Sequence, residues 1–293
     1  MISVIITAKN EANSIGLAVG AVLEQGYKQD EIEIIVVAPD QPSLDAAKRA
    51  GATRVYRDSG QGKPLALNLG IKKANGDILV FSDGDVLVAT GAIKALVEKI
   101  NQGADAVSSR PISIESSENK YGFWSHVLVS MADRIRLQQS DNGSGLLLSG
   151  YLIAVKADIL RDFLFLENIL TDDEYLSYYL ISKNYNIKYA PEAKVKVKYA
   201  DNFKDWKNQK IRSVGGSFQI PREWKQVFKV RGFLTEFKGI VFIWHNYGTS
   251  LKHKYWLVQL FLARFYVWLL AFIKIKCFKL DSQKMWKRIN SSK

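Results

Sequence analysis

"ILVFSDGDV", residues 78–86, decides how this chain is read. Ile78, Leu79, Val80 and Phe81 form the continuous apolar run expected of a strand buried on both faces. They lead straight into Asp83 and Asp85, one glycine apart. An Asp-Gly pair favours a tight turn, which accounts for one carboxylate. The second needs another reason, because two anions this close repel unless a cation or a proton sits between them.

Similar runs occur at 2–7, 31–38, 53–57 and 104–109. Between them lie helical patterns: Ile15, Val19, Val22 and Leu23 within 13–25, a segment at 63–74 ending in "ANG", and 90–101 with Thr90 as N-cap. This alternation predicts an α/β fold with a mostly parallel, doubly wound sheet. Ligands of such sheets bind beyond the carboxyl ends of the strands, where "SDGD" falls. Further on come a helix-like stretch at 118–137, a polar loop at 138–145, an apolar strand at 146–155 and a helix starting near Thr171. Past Pro221 strands give way to aromatic and basic residues, so a globular unit of 1–220 and a tail of 221–293 are expected.

Composition narrows the classes. With 47% hydrophobic and 24% charged residues the chain is globular, not disordered. Its single cysteine, Cys277, allows no internal disulfide and points to a reducing compartment. His126, His245 and His253 have no zinc-site spacing. The opening "MISVIITAKNEANS" lacks a basic leader and reads as a first strand, so a cytoplasmic catalytic domain is expected. The net charge is +12, yet residues 203–293 hold 19 Lys/Arg against 4 Asp/Glu, leaving 22 against 25 in the first 202 residues. A basic tail on a slightly acidic body points to an anionic partner, nucleic acid or membrane.

Several motifs follow one another in order: "TAKNEA" (7–12), Asp40, "GQGKPLALNLG" (60–70), "SDGD" (82–85), "SGYLIAVKADIL" (149–160), "LTDDEYLSYYL" (170–180) and "QKIR" (209–212). Each is weak alone. As an ordered set over about 1–215 they resemble a family 2 glycosyltransferase with the Rossmann-like GT-A fold, inverting and dependent on a nucleotide sugar. The resemblance implies Mg²⁺ or Mn²⁺ on the donor diphosphate, with Asp85 as the metal residue and Asp83 beside the donor nucleoside. It places Thr7, Asn10 and Glu11 on the donor side, and Asp40 at the nucleobase or ribose. "VVAPDQPSLD" departs from the commoner D-D-G-S-T-D, and Asp40 also reads as a turn residue or helix cap. Lys63 reads equally as a phosphate partner or a surface lysine. The stretch is not a P-loop, since Arg57 and Pro64 stand where a glycine and Ser/Thr are required.

"TDDEYL" resembles T-E-D-x-x-L with Asp172 in place of Glu, which puts the general base on Asp173 and a hydrophobic anchor on Leu176. An acidic first helical turn would favour the helix dipole in any case. Gly150, Asp172 and Gln209 fall on the acceptor or leaving-group side. "QKIRS" resembles Q-x-x-R-W with Ser213 for the tryptophan, which counts against processive synthesis, while Arg212 can still balance the leaving diphosphate. The expected partners are a nucleotide-sugar donor, a lipid-linked or glycan acceptor and a membrane surface, without nucleic acid.

The tail contains "WLVQLFLARFYVWLLAFI" (256–273), which has only Gln259 and Arg264 as strongly polar positions. As a helix it is about 27 Å long, just short of a bilayer core. Its lysine flanks favour a membrane over a buried core helix. A segment that enters the interface or turns back, with both lysine clusters facing anionic headgroups, is expected ahead of a simple span, which would export the basic end from Lys274 to Lys293. Two rivals remain. A sugar-1-phosphate nucleotidyltransferase would need a glycine-rich loop after strand one, which "TAKNEANS" lacks. A basic nucleic-acid-binding protein is opposed by the apolar segment within its basic tail.

Overall fold

The computed structural model describes residues 1–141, 145–227 and 239–274. The β-branched runs form β1 (Ile2–Thr7), β2 (Ile32–Ala38), β3 (Arg54–Arg57) and β4 (Ile78–Asp83), paired in parallel. Pairing of β1 with β4 sets Thr7 beside Asp83, so both strands end at the same edge. Four more strands complete one sheet: β5 (Leu87–Val88), β6 (Ala106–Ser113), β7 (Leu152–Lys156) and β8 (Ile187–Val197). The order is β3-β2-β1-β4-β7-β6-β8-β5, with β7 and β5 running against the rest. The mostly parallel sheet is therefore as expected, whereas β5 and β8 carried no clear apolar run and were not.

Both faces of the sheet are covered, which is why its central strands are apolar on both sides along most of their length. On one face Val4, Ile6, Ile34 and Val80 pack beneath α1 (Ile15–Leu23), α2 (Gln41–Arg49) and a helix at 92–101. On the other, Ile5, Ile35, Leu79 and Phe81 meet α3 (Lys63–Lys73) and a helix at 172–182. These two helices are α4 (Ala92–Asn101) and α6 (Asp172–Ser182), with α5 (Lys120–Asp141) between them in the chain. The N-cap of α4 is Gly91, at φ +78°, and not Thr90.

The strand expected at 146–155 begins only at Leu152. Just before it, three successive amides find side chains where a strand would offer ladder partners. Leu148 N–H donates to Ser177 Oγ, Ser149 N–H to Ser108 Oγ and Gly150 N–H to Asp173 Oδ2, each at 2.9 Å. The backbone groups are satisfied without a strand, so the segment is free to bend into the site.

A third core is helical. Trp124 of α5 and Trp206 of α7 (Phe203–Gln219) pack with Leu257, Leu260 and Val267 from the C-terminal helix. After α8 (Arg222–Val227) and α9 (Ile240–Tyr247), that helix is α10 (Leu251–Phe272). Gln259 and Arg264 do not interrupt its packing. Arg264 is itself buried on the packed side, and Gln259 Oε1 is hidden from solvent. The expected topology of the basic end concerns residues 275–293, outside the described residues.

Candidate active site

The carboxyl ends of β1 and β4 and the start of α6 meet at one place. Gly84 N–H donates to Thr7 O at 3.0 Å and Thr7 Oγ1 to Asp83 Oδ1 at 3.3 Å, so the first strand clamps the Asp-Gly-Asp turn. A Cβ on Gly84 would collide with the Glu11 carboxylate and with Ala8, which explains why a glycine separates the two aspartates. Lys63 opens α3 after Gly62, whose φ of +124° requires glycine. Its Nζ lies 2.8 Å from Asp83 Oδ1 and 3.0 Å from Asp172 Oδ2. One ammonium thus ties a strand end to the helix that carries Asp173.

Burial and charge set the titration of this cluster. Burial raises Asp83 above the ordinary carboxylate range; Asp85 and Asp172 push the same way, and Lys63 opposes them. Burial and then Asp172 likewise raise Asp173, against the pull of Lys63 and the amides of Gly150 and Glu174. For Lys63 burial favours the neutral form, but Asp172 and Asp83 outweigh it and keep the ammonium charged.

Thr171 caps α6 without a side-chain bond to the helix amides; its hydroxyl goes to Glu174 Oε2 at 3.2 Å. Gly216 of α7 packs so closely on Thr171 that a Cβ would overlap it. This contact locks α7 against the start of α6. Further along α7 sits Arg212, whose charge reaches the phenol of Tyr151, as do those of Asp85 and Asp83. Gln209 lies one turn earlier on α7 with Oε1 buried and no hydrogen-bond partner.

A second pocket edge forms at the end of β2. Asp40 caps α2, accepting from Ser43 N–H at 3.1 Å and Ser43 Oγ at 2.6 Å. It also accepts from Asn10 N–H at 2.7 Å, and Glu11 N–H donates to Ser43 Oγ at 2.8 Å. Asn10 takes φ +56°, so this carboxylate fixes a left-handed residue in the loop after β1. The helix-cap reading of Asp40 is thus realised in full, alongside its place at the strand ends.

The structure brings Lys63, Asp83, Asp172 and Asp173 together, with Gly150 on Asp173 and Thr7 on Asp83. Asp40 with Asn10 and Glu11 forms the adjoining edge. Tyr151, Tyr199 and Ser43 were not anticipated. Tyr151 follows the quoted "SG", and its carbonyl accepts from Ser82 Oγ at 3.3 Å, beside the strand that ends in Asp83. Only its place after that glycine could have marked it. Ser43 had a fuller signal, lying three residues after a capping aspartate.

Whether a divalent cation suits this site can be judged from the charges. Asp83, Asp85, Asp172 and Asp173 face Lys63 and Arg212, a surplus of two negative charges. Among the described residues no three His, Cys, Asp or Glu side chains are grouped to hold a metal on their own. A hard cation that takes most of its ligands from a diphosphate and water, as Mg²⁺ and Mn²⁺ do, fits these residues.

Residues 3–164, over half the chain, match the model of Glycosyl transferase family 2. The chain belongs to that family. Its fold is the GT-A fold of those enzymes. A mannosyltransferase from Pyrobaculum calidifontis, PcManGT, solved with GDP-Man and Mn²⁺, superposes with a TM-score of 0.68 at 19% identity, covering 95% of this chain and 88% of that one. TarS 1-349 of S. aureus, solved with UDP-GlcNAc, gives 0.51 at 15% identity, over 88% and 79%. At such identities the likeness is one of fold. In sequence, poly-beta-1,6-N-acetyl-D-glucosamine synthase of Staphylococcus epidermidis is 25% identical over 75% of this chain and 55% of its own length. Glycosyltransferase AglE of Haloferax volcanii is 38% identical over 29% of this chain and 30% of its own. The chain therefore spans little more than half of the longer-matching relative.

Proposed function

We propose that this family 2 member is an inverting glycosyltransferase. It moves a sugar from a nucleoside diphosphate to a hydroxyl of a lipid-linked or glycan acceptor, at the cytosolic face of a membrane. The observation that carries the reading is the Lys63 bridge, which joins the aspartate pair at the end of β4 to the acidic start of α6. Donor and acceptor elements then share one centre, as a single displacement at the sugar C1 requires, and the negative charge left over on it is what a divalent cation would offset.

In this reading the acceptor oxygen attacks C1 as the bond from C1 to the diphosphate oxygen breaks. The acceptor proton passes to Asp173, whose raised affinity for protons suits it to be the base. Gly150 N–H and Glu174 N–H hold the two oxygens of that carboxylate in place. Arg212 faces the charge that grows on the leaving diphosphate. Asp83 and Asp40 orient the nucleoside, and Asp85 would hold Mg²⁺ or Mn²⁺, which when bound supplies Lewis-acid stabilisation of the diphosphate. The loop after β1 is set by Asp40 and Ser43 and has no glycine-rich turn, which counts against a nucleotidyltransferase.

The test is a panel of GDP- and UDP-sugars with Mn²⁺ or Mg²⁺, read by thermal shift and by sugar transfer or hydrolysis. A binding donor stabilises by about 2.7 kcal/mol at a hundredfold excess over its dissociation constant. Asp85→Asn should abolish turnover and Asp83→Asn should weaken donor binding. Full activity in EDTA would overturn the metal assignment.

A further inference from the structure

We infer that α10 lies flat on an anionic lipid surface, with its outer face in the headgroup layer, and does not cross the bilayer. The inference rests on the membrane-face part of the proposed function and adds the geometry of contact.

By length alone α10 could span, since 22 residues rise about 33 Å. Its two faces argue otherwise. Leu257, Leu260, Ala263, Arg264, Val267 and Ala271 are buried on the body of the protein. Trp124 Nε1 donates to Trp256 O at 2.8 Å, pinning α5 to the α10 backbone. Crossing would strip this face from α5 and α7, open the Trp124–Trp206 core and move Arg264, now 6% exposed, towards hydrocarbon.

The opposite face is exposed and apolar throughout. Leu251, Tyr255, Val258, Leu262, Phe265, Leu269 and Phe272 follow one another at alternating steps of four and three, a single stripe along the helix. Lys252 and Lys254 stand exposed in the first turn, and Lys274 follows the last. From 239 to 274 the sequence has no Asp or Glu. A stripe at this spacing could also seat a second copy, but pairing would bring lysines together with no acidic partner along the seam. Anionic headgroups complement it instead. A groove of about 560 Å³ walled by Lys120, Tyr121, Phe203, Leu262 and Tyr266 opens beside the stripe and shares two of its walls with the exposed side of α10. Its aromatic rings and ammonium suit the boundary between acyl chain and headgroup.

The full chain, with Cys277 replaced by Ser, is given one cysteine at a time at 255, 258, 262, 265, 269 and 272 and labelled with an environment-sensitive dye. It is mixed with vesicles of phosphatidylcholine alone or with added phosphatidylglycerol, and depth is read from lipid-borne quenchers. The expected result is binding to the anionic vesicles only, with all six labels at one shallow depth. Labels that deepen towards the middle of the helix and emerge again would show a span and overturn the inference. Concentration-dependent crosslinking through the same positions, without vesicle binding, would assign the stripe to a second copy and overturn it too. Leu262→Glu with Phe265→Glu should lower vesicle affinity on the order of tenfold or more. The donor-induced thermal shift of that variant, measured without lipid, should be unchanged. That measurement separates the two readings, because absence of the shift in the unaltered chain would count against the transferase alone and leave the membrane seat untouched.

Discussion

Asp40 and Asp173 are both partly buried at the ends of secondary-structure elements in one cleft, and their surroundings drive them in opposite directions. At the end of β2 burial pushes Asp40 up, but the Ser43 hydroxyl and the amides of Asn10 and Ser43 outweigh it, and the carboxyl ends below its ordinary value. At the start of α6 burial and Asp172 push Asp173 up, while Lys63 and two amides only partly offset them. The difference has two parts: Asp40 has a hydroxyl donor in addition to its amides, and Asp173 has an anionic neighbour, Asp172, that Asp40 lacks among its main influences. One aspartate is held ionised as a fixture of the donor edge. The other keeps an appetite for a proton, which is the division of labour expected when two carboxylates share a reaction.

The largest effect that could break this contrast is on turnover. Asp173→Asn should cut kcat on the order of 10²- to 10⁴-fold with donor affinity unchanged. The acidic limb of the kcat profile should lie above the ordinary aspartate range and disappear in the variant. Its stability should move the other way. A raised folded value means that the native state binds the proton more tightly, so stability falls as pH rises from the unfolded value to the folded one. Above both, the cost is fully present, and the neutral amide should raise Tm at neutral pH. If Asp40→Asn proved the more damaging to kcat, the two roles would be exchanged.

Next in size is Lys63, which joins the two carboxylates of β4 and α6. Lys63→Met leaves a half-buried anionic cluster without its internal cation, a loss of about 1–4 kcal/mol, between that of an exposed and of a fully buried pair. The destabilisation should shrink when Mn²⁺ is added, because a divalent cation relieves the same repulsion. Equal loss of stability with and without Mn²⁺ would mean that the metal does not act on this cluster.

A smaller change sharpens the Asp40 side. Asp40→Ala removes a helix cap worth about 0.5–2 kcal/mol and the tie to Asn10. Donor KM should rise with kcat little altered. Because the folded value is lowered, the stability from Asp40 is present above its unfolded value and lost as pH falls through the folded one. The variant should therefore differ most from the parent at neutral pH and converge with it in acid. A difference that persists at low pH would assign the loss to packing.

What was legible in the sequence divides along the same line. The central parallel strands β1, β2 and β4 could be read because they are buried on both faces and carry apolar runs such as Ile34 to Val37. That Thr7, Asp40 and Asp83 lie at one edge was legible because they follow parallel strands, whereas the place of Lys63 and Asp172, at helix starts, needed the packing of α3 and α6 on the sheet. Residues 145–149 misled because Leu146 to Leu148 are as apolar as a strand, and only their side-chain partners Ser108 and Ser177, far away in the chain, bend them. Strand β8 stayed hidden because Lys188, Lys194, Lys196 and Pro191 interrupt its run. In α10 the hidden element was direction. Gln259 and Arg264 fall roughly 140° apart around a helix, which blurs any polar face, yet Arg264 is buried on the packed side, Gln259 is half-buried in the groove at its edge, and the exposed stripe is apolar.

Tyr151 gives the smallest expected effect and the finest test. Burial, with the charges of Asp85 and Asp83, raises its phenol to about 12 against Arg212 and a hydrogen bond with Tyr199. It therefore stays neutral at any working pH and cannot act as a base. Tyr199, whose ring meets that of Tyr151 edge-on at 6.2 Å, is driven higher still, first by burial and then by Tyr151. Because it stays protonated, the Tyr151 phenol has a proton to donate on the side where Asp85 and Arg212 act. In the proposed reading that is the side of the donor diphosphate. Removing one such bond costs about 0.5–1.5 kcal/mol, so Tyr151→Phe should weaken donor binding in the presence of Mn²⁺ by roughly 2- to 10-fold, leaving the kcat acidic limb in place. Tyr199→Phe should have a lesser effect, since it only loosens the ring that holds Tyr151. If the Tyr199 change were the more harmful, or if Tyr151→Phe shifted the acidic limb, the pair would belong with the Asp173 side of the cleft and not with the donor.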